Sequence, residues 1–369
     1  MKIKLSIVGI EGLPNRYGGF ETLASYLVSH LDKKFDITVY CSSLDLSTKN
    51  INYYNANLKY IPLSSHGWQG VLYDIVSLRD SLRISDIVLF LGFGAGLYFP
   101  FISRKNRSKI ILNFGGLDWQ RTKWNLFTKK IIQQFESLMV RNVDWIIADN
   151  KKIEEYVLRT YHKKSIGISY GGDQAFQIDA SNDLIKQYPF LKSVYACAVC
   201  RIQPDNNIEM ILSAFSKIDY PLVVIGNWGN SNFGLNCRKK YAAFKHIHLL
   251  DAIYDPEKLN MFRSNCSIYV HGHSAGGTNP SLVEAMHLGL NILAFKSGYN
   301  ELTTGHLANY FKTVEELLEM VLNFRNEHNN MGNKKMQLMA KQYYTWERIA
   351  ASYEKLFLNV YQFNNGAKN

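Results

Sequence analysis

The chain has 369 residues, of which 47% are hydrophobic, and a formal net charge of +11 at pH 7. This length exceeds what one hydrophobic core usually holds, so we expect two domains. Its five cysteines, an odd number, argue against a secreted disulfide scaffold and favour a reducing compartment. The excess of Lys and Arg favours an anionic partner. Disorder is expected only at 326–335 and after Phe363.

In the first half of the chain, short β-rich runs alternate with amphipathic segments. Strands are predicted at 4–10, 37–41, 87–91, 109–113 and 145–149, and a helix at 124–140. The uncharged window 87–102 is shorter than the roughly 20 residues of a spanning helix. Its glycines and Pro100 divide it into a strand, a loop and the start of a helix. We therefore predict neither a transmembrane segment nor a signal peptide.

The first predicted strand leads into the stretch "NRYGGFET", where Gly18 and Gly19 precede a helical pattern that starts at Phe20. A helix N-terminus attracts phosphate through its free N–H groups and its dipole, and glycine lets a ligand approach the backbone closely. The stretch therefore predicts an anion site. The alternative is a tight strand-to-helix turn in which Glu21 only complements the helix dipole.

A basic segment follows between positions 104 and 130, which contains eight basic residues and a single acidic residue, Asp118. The basic residues are Arg104, Lys105, Arg107, Lys109, Arg121, Lys123, Lys129 and Lys130. Trp119, Trp124 and Phe127 are interleaved with them, and basic residues beside aromatic residues suit an anionic membrane surface. The alternative is a solvated basic face. No RNA- or DNA-binding motif accompanies the segment, so nucleic acid is not expected as a partner.

The same alternation restarts in the second half of the chain. Strands are predicted at 195–200, 222–225, 246–250, 267–271 and 291–295, with helices at 208–215, 256–262 and 281–286. Two doubly wound α/β domains in tandem are expected to meet across a cleft and to bind ligands at the carboxyl ends of their strands. Cys197 and Cys200 form a CxxC pair, but they lie in a predicted buried strand and no second pair completes a zinc site. No metal site is predicted.

A second glycine-preceded helix N-terminus occurs in "GGTNPSLVEA" at 276–285. Asn279 suits the N-cap position, and Pro280 suits the first helical position. Glu284 lies one turn into the helix, where it is placed for a ribose hydroxyl rather than for phosphate, which it would repel. Arg201 follows the strand at 195–200 and could supply a forked contact to a diphosphate. Together these residues predict a nucleotide-diphosphate site, with coincidence as the alternative.

Several separated motifs occur in an order that resembles one enzyme group. They are "GIEGLPNRYGGFETLASYL", "GLDWQRTKW", "ADNKKIEEYV", "YGGD", "DNNIEMIL", "VIGNW" and "HGHSAGGTNPSLVEAM", and the likeness extends to "YTWERIAASYEKLF". They resemble the capsule and O-antigen rhamnosyltransferase group within the family 4 glycosyltransferases, which have the GT-B fold.

The resemblance implies an α/β protein with two doubly wound, Rossmann-like domains that face a cleft. An acceptor-side domain is expected over 1–172 and a nucleotide-sugar-binding domain over 173–343. The segment 344–369 is expected to form a helix that returns to the first domain, followed by a tail. The apolar face of that helix would consist of Ile349, Tyr353, Leu356 and Phe357.

The implied reaction is transfer of a hexose from a nucleotide diphosphate to an acceptor hydroxyl, with retention of anomeric configuration. The departing phosphate is thought to accept the proton of the incoming hydroxyl in such enzymes, so no carboxylate nucleophile is required. The expected acceptor is a lipid-linked saccharide at the inner face of a bacterial plasma membrane, where the protein would be cytoplasmic and peripheral. The chain has no Asp-x-Asp sequence, so no metal and no other cofactor is expected.

The resemblance also assigns site residues. Those expected to bind the donor are Gly18, Gly19, Arg201, Gly226, Tyr254, Gly277, Thr278, Asn279, Ser281 and Glu284. Asp118 is the carboxylate expected nearest the acceptor, with an exposed loop aspartate as the alternative. His273 is assigned a catalytic place in the donor-sugar pocket beside His271, with a core histidine as the alternative for His271.

Two positions depart from the wider family. Gly276 stands eight residues before Glu284, where a glutamate that touches the donor sugar is usual, and Asn206 stands where a lysine usually follows Arg201. These departures favour a different donor, with dTDP-L-rhamnose as the first choice and a UDP- or GDP-sugar as the alternative. Other hypotheses are an inactive homologue, a nucleotide-sugar 2-epimerase of the same fold and a non-catalytic basic adaptor. A dinucleotide dehydrogenase is disfavoured because no Gly-x-Gly-x-x-Gly pattern follows the first strand.

Overall fold

A computed structural model of the chain describes residues 2–14, 18–46, 49–121, 124–324 and 331–366. The chain divides into two compact units. Unit 1 comprises Met1–Gln120, Trp124–Ser169 and Trp346–Asn369, and unit 2 comprises Arg121–Lys123 and Tyr170–Thr345. The main crossings between the units thus follow Ser169 and Thr345, where the sequence analysis places them after positions 172 and 343.

Unit 1 alternates strands and helices. Its strands β1–β8 are Ile3–Val8, Phe35–Ser42, Asn52–Tyr53, Ala56–Ile61, Ile87–Leu91, Ile110–Asn113, Trp145–Ala148 and Ile166–Gly167. Its helices α1–α5 are Gly19–Leu31, Gly67–Ile84, Arg104–Arg107, Leu126–Asn142 and Lys151–Tyr161, with 3₁₀ helices at Gly96–Phe101 and Asp118–Gln120. The helix predicted at 124–140 begins at Leu126 because the side chain of Asn125 caps it and accepts from Thr128 N.

Among the described residues, the sheet of unit 1 has the strand order β3-β4-β2-β1-β5-β6-β7-β8. Its pairs are parallel except that of β3 with β4. The sequence "IVLFL" of β5 is buried throughout, as expected for a parallel strand with both faces covered. On one side of β1 the chain forms β2 and then the β3–β4 pair, and it resumes at β5 on the other side of β1. The topological switch point of unit 1 therefore lies between β1 and β5.

Unit 2 repeats the same architecture. Its strands β9–β14 are Ala196–Val199, Leu222–Ile225, Ile247–Leu250, Ile268–His271, Asn291–Phe295 and Asn309–Phe311. Its helices α6–α13 are Asn182–Gln187, Ile208–Phe215, Asn232–Tyr241, Pro256–Ser264, Pro280–His287, Tyr299–Thr303, Val314–Phe324 and Met331–Tyr343. Further 3₁₀ helices occur at Pro189–Lys192, Pro204–Asn206 and Trp228–Asn230.

The described strands of unit 2 form a parallel sheet in the order β11-β10-β9-β12-β13-β14. Side chains of β9 alternate between two hydrophobic clusters, with Ala196 and Ala198 in one and Cys197 and Val199 in the other. Both faces of this strand are therefore covered, and Cys197 is a core residue as predicted. The switch point of unit 2 lies between β9 and β12.

The last helix, α14 (Trp346–Gly366), belongs to unit 1. Its buried side chains include the predicted apolar face, Ile349, Tyr353, Leu356 and Phe357. Trp346 stacks on Tyr26 of α1 with ring centroids 4.3 Å apart, and Asn113 Nδ2 donates to Tyr353 Oη over 2.7 Å. The helix thus returns to the first domain, as the resemblance implies. With the two parallel-sheet domains, it confirms the GT-B fold.

One compositional expectation is wrong. Residues 331–335 were expected to be disordered, but they form the start of α13. The same helix is anchored by Met336 and Ala340, which are buried in the core of unit 2. Residues 364–366 likewise belong to α14, while 326–330 and 367–369 lie outside the described residues. In the described part of the chain, no helix is both long and apolar enough to cross a membrane.

Candidate functional site

The two loops at the switch point of unit 2 are tied to each other. β9 and β12 pair over only two residue pairs, so their pairing stops before both strands end. Beyond that point Ser274 donates to Asp205 O from its backbone N over 3.0 Å and from its Oγ over 2.8 Å. Asn207 Nδ2 also donates to Gly272 O over 2.8 Å. The two loops therefore form one surface at the carboxyl end of the sheet, which is where open α/β sheets bind ligands.

Arg201 lies on this surface, at the start of the loop after β9, and is exposed. Asn206 Nδ2 donates to Arg201 O over 2.6 Å, so the side chain at the position of the usual lysine is folded back onto its own loop. An amide carries no net charge. Arg201 is therefore the cation that this loop itself contributes.

Gly226 and Tyr254 lie on neighbouring loops of unit 2. A Cβ at Gly226 would stand 2.3 Å from Cys200 O, so the loop after β10 approaches the residue before Arg201 as closely as only glycine permits. Tyr254 is half exposed, and Asn227 Nδ2 donates to its hydroxyl over 3.1 Å. These two residues, which the resemblance assigns to donor binding, thus flank the switch point on its β10 side.

The N-terminus of α10 has the predicted cap. Asn279 Oδ1 accepts from Ser281 N over 3.0 Å and from Ser281 Oγ over 2.8 Å, and Pro280 is the first helical residue. Gly276, in the preceding loop, has a φ of +117°, which glycine tolerates best. Thr278 is buried and Gly277 is half-buried. The side chains of Asn279 and Ser281 therefore build the cap, and the backbone N–H groups of Leu282 and Val283 donate to Asn279 O. The dipole of α10 leaves partial positive charge at this end of the helix.

Glu284 is already bound by protein groups. Its carboxylate contacts the guanidinium of Arg263 and the side-chain amide of Gln174. Burial alone would lower the pKa of Arg263, but the charge of Glu284 raises it above the ordinary value. Gly172 belongs to the "YGGD" motif, whose backbone packs against α10. A Cβ at Gly172 would stand 2.9 Å from Glu284 N, so glycine is what permits this close packing. Glu284 thus has a structural role in addition to the predicted ribose contact.

His271 and His273 stack on each other with ring centroids 4.4 Å apart. Burial lowers the pKa of His271 to about 3. Burial and the neighbouring His271 lower the pKa of His273 well below its ordinary value, and the guanidinium groups of Arg121 and Arg201 lower it further. Both imidazoles are therefore neutral near pH 7.

Polar atoms of this histidine pair lack partners among the described residues. Both ring nitrogens of His271 and Nδ1 of His273 are buried without a hydrogen bond. His271 is thus a core residue, as one interpretation of the sequence has it, but not a satisfied one. An unsatisfied buried polar group is costly and uncommon, so these atoms mark a place where water or a ligand group binds.

In unit 1, Gly18 is the N-cap residue of α1 and Gly19 is the first helical residue. Gly18 has a φ of +149°, and Asn15, Arg16 and Tyr17 of the same motif lie outside the described residues. Glu21 Oε1 accepts from Glu11 N over 3.2 Å, so Glu21 closes the loop after β1. Among the described residues no side chain caps the N-terminus of α1, and Glu21 closes the predicted turn.

Asp118 begins a short 3₁₀ helix beside a buried carboxyl group. Glu136 Oε1 accepts from the hydroxyls of Tyr156 and Tyr161 over 2.7 Å each. Burial raises the pKa of Glu136 against the effect of these hydroxyls, and the charge of Asp118 raises it further. The charge of Asp118 thus acts on a buried glutamate, Glu136, which no sequence motif indicates.

Within unit 2 the structure brings together Arg201, the 272–279 loop, the capped end of α10 and His273. It keeps Gly18, Gly19 and Asp118 in unit 1. Arg263 and Gln174 were not predicted from the sequence. For Arg263 the local signal is its position beside Phe262, on the buried side of α9. Among the described residues, no group of three or more His, Cys, Asp or Glu side chains could hold a metal.

Comparison with known families matches the chain in two parts. Residues 2–173 match the family described as "Domain of unknown function (DUF1972)", and residues 181–335 match the family "Glycosyl transferases group 1". No curated protein matches the sequence.

Solved structures match almost the whole chain at low sequence identity. Sucrose-phosphate synthase (tll1590) from Thermosynechococcus elongatus superposes with a TM-score of 0.80 at 13% identity, covering 98% of this chain and 99% of its own. Anabaena Alr3699/HepE in complex with UDP-glucose superposes with a TM-score of 0.74 at 11% identity, covering 97% of this chain and 100% of its own. α,α-Trehalose 6-phosphate synthase from Burkholderia multivorans gives 0.73 at 10% identity, covering 100% and 99%. The fold and the group 1 domain together support a glycosyltransferase of the GT-B type.

Proposed function

We propose that the protein is a retaining glycosyltransferase that moves a sugar from a nucleotide diphosphate to a lipid-linked saccharide in the synthesis of a bacterial surface polysaccharide. The observation that carries the proposal is the switch point of unit 2, where Arg201 and the N-terminus of α10 lie on loops tied to each other. This arrangement lies within the stretch that matches the glycosyl transferases group 1 family. A similar structure holding UDP-glucose supports a nucleotide sugar as the donor.

The leaving diphosphate is the group that needs stabilisation in such a transfer. Negative charge develops on it as the glycosidic bond to the sugar breaks, and preoriented donors lower that barrier most effectively. Arg201 would supply charge and forked hydrogen bonds, and the dipole of α10 would add positive potential, without a metal or another cofactor. Because His273 is neutral, it would contact the sugar as a hydrogen-bonding group and not as a cation.

The first-choice donor is dTDP-L-rhamnose. Gly276 places no side chain where the wider family has a carboxylate, and a Cβ there would meet no atom within 4 Å. The site therefore has open space in place of one strong acceptor for sugar hydroxyls. A 6-deoxy sugar has one hydroxyl fewer to satisfy than glucose or mannose, so it suits such a site better.

A binding screen tests the donor assignment. Calorimetric titration of the wild-type protein with dTDP-rhamnose, UDP-glucose and GDP-mannose is expected to give the highest affinity for dTDP-rhamnose. Turnover should require a saccharide acceptor. Tight binding of a different nucleotide sugar would change the donor but keep the reaction class, whereas turnover of the donor alone would favour the epimerase alternative. Binding of none of the three would refute the proposal.

We further propose that unit 1 docks on an anionic membrane surface. Large apolar side chains are exposed on the 3₁₀ helix Gly96–Phe101 and on the first half of α4: Leu97, Phe101, Leu126, Phe127 and Ile131. These two elements are neighbours, since a Cβ at Gly96 would stand 2.5 Å from Phe135 Cα. Exposed apolar groups beside lysines and arginines are the pattern of a peripheral membrane contact.

The structure narrows the basic segment that supports this docking. Lys109 Nζ donates to Ser85 O over 3.1 Å and Arg107 Nε donates to Ile102 O over 2.7 Å, so both are engaged inside unit 1. Lys123 lies outside the described residues. Arg104, Lys105 and Lys130 are exposed, and Lys129 is half-buried. We define the docking surface as these four cations with the five apolar residues of the two elements.

A further inference from the structure

Arg121 belongs to unit 2, although the residues on both sides of its short segment belong to unit 1. We propose that Arg121 is a second contact for the diphosphate of the donor, held in position by Asp205. This assignment rests on the proposed function, because it concerns the same donor site. Arg121 would supply the second positive charge that the loop after β9 lacks at Asn206.

An ion pair with Asp205 positions Arg121. Arg121 Nη1 lies 3.4 Å from Asp205 Oδ2, and the two side chains are 22% and 2% exposed. The backbone O of Asp205 accepts both hydrogen bonds from Ser274 described above, so Asp205 lies where the loops after β9 and β12 join. The ion pair therefore places the guanidinium of Arg121 at the junction that carries Arg201 on one side and the approach to α10 on the other.

Two arginines place positive charge at this junction. The guanidinium groups of Arg121 and Arg201 both lower the pKa of His273, so both positive charges act on the same imidazole. Two arginines against the one carboxylate of Asp205 leave this junction with an excess of positive charge. A guanidinium presents five N–H groups in a planar fork, so one arginine can hold a buried carboxylate and a phosphate at the same time.

The buried atoms of the junction agree with a ligand. Asp205 Oδ1 and both ring nitrogens of His271 are buried with no hydrogen bond to a described residue. His271 is 1% exposed, and its ring stacks on that of His273. Incomplete satisfaction of polar groups around two arginines is expected where a bound anion and its waters complete the network.

A purely structural ion pair is the competing account, and a paired substitution separates the two. Arg121→Gln removes the proposed contact but also leaves the buried Asp205 charge uncompensated. The double variant Arg121→Gln/Asp205→Asn removes both charges while it keeps similar side-chain shapes, so its stability should return to that of the wild type. Arg159→Gln is the matched control, because it removes an arginine from an exposed pair with Glu155 in α5.

Calorimetric titration should use the nucleoside, the nucleoside monophosphate and the nucleoside diphosphate of whichever base the wild type binds, without acceptor. We expect the double variant to bind the diphosphate about 10- to 100-fold more weakly, the range of a lost charged hydrogen bond. Affinity for the nucleoside should not change. Arg121→Lys should restore part of the diphosphate affinity, and Arg159→Gln should bind all three ligands like the wild type.

The outcomes distinguish this inference from the function on which it rests. If the wild type and the folded double variant bind the diphosphate equally well, Arg121 is only a structural partner of Asp205 and the inference is wrong, while the proposed function stands. If affinity for nucleoside and diphosphate falls equally, the effect is general and the inference is also wrong. If the wild type binds no nucleoside diphosphate, the proposed function fails and the inference fails with it.

Discussion

Replacing Glu284 by alanine should affect both folding and donor binding. The lost carboxylate leaves Arg263, whose side chain is 3% exposed, without its ion pair. Breaking a buried pair from one side costs about 3–5 kcal/mol. We expect the lower end, about 3 kcal/mol, because the 15% exposure of the Glu284 side chain lets water reach the remaining charge. At about 2–4 °C per kcal/mol for a domain of this size, the unfolding temperature of unit 2 should fall by roughly 6–12 °C.

Donor affinity should fall independently of this stability loss. A hydrogen bond from a ribose hydroxyl to a carboxylate is worth about 1.5–3 kcal/mol, or roughly 10- to 100-fold in affinity. The double variant Arg263→Met/Glu284→Leu separates the two effects, because replacing both members of a buried ion pair by apolar residues is often neutral for stability. We expect it to unfold near the wild-type temperature and still bind the donor weakly.

Thermal unfolding and calorimetric titration of the donor measure the two effects on the same samples. Glu209→Ala is the control, since it breaks an exposed pair with Lys240 in the same unit and should change stability by less than about 1 kcal/mol. An unchanged unfolding temperature for Glu284→Ala would refute the ion-pair argument. Wild-type donor affinity in the double variant would refute the ribose contact.

Three further predictions follow from the proposed site and surface. Arg201→Ala should lower the rate of sugar transfer by at least about 10-fold, the effect of losing one charged hydrogen bond to the diphosphate. A wild-type transfer rate in this variant would show that Arg201 does not contact the diphosphate. Excess EDTA should leave the transfer rate within about twofold, because protein groups meet the phosphate charge; complete loss restored by Mg²⁺ or Mn²⁺ would contradict this. Charge reversal at Lys129 and Lys130 should reduce sedimentation of the protein with anionic vesicles without changing donor affinity. Raising the salt concentration from 0.1 to 1 M should have the same effect, because the Debye length falls from about 10 to about 3 Å. Equal sedimentation with anionic and neutral vesicles would indicate a solvated basic face.

Local patterns predict the elements that carry the candidate site with little error. The strands at 87–91, 222–225 and 291–295 and the helix at 208–215 have the predicted limits in the structure. The cap at Asn279 was also predictable, because the preference of asparagine for this position and of proline for the next depends on backbone geometry within one turn. Shorter strands such as β3, β8 and β14 carry too few residues for a period to be recognised.

Residue roles were predictable only where one local feature decides them. The sequence predicts a donor contact for Ser281, and the structure adds a second role, because its hydroxyl donates to Asn279 and supports the cap. Lys109 and Arg107 count as membrane-facing charges in the sequence, yet both donate to carbonyl groups of unit 1. Charge composition cannot distinguish these cases, because a long basic side chain can reach either solvent or a nearby carbonyl.

The sequence by itself determined the alternation of strands and helices, the two glycine-preceded helix N-termini and the apolar face of α14, since each depends on residues within a few positions of one another. Only the tertiary structure decided that Glu284 is held by Arg263 and Arg121 by Asp205, pairs separated by 21 and 84 positions. The strand order that creates the switch point between β9 and β12 is likewise a long-range property. Such contacts form because folding brings distant loops to one edge of a sheet, and no local propensity encodes which charges meet there.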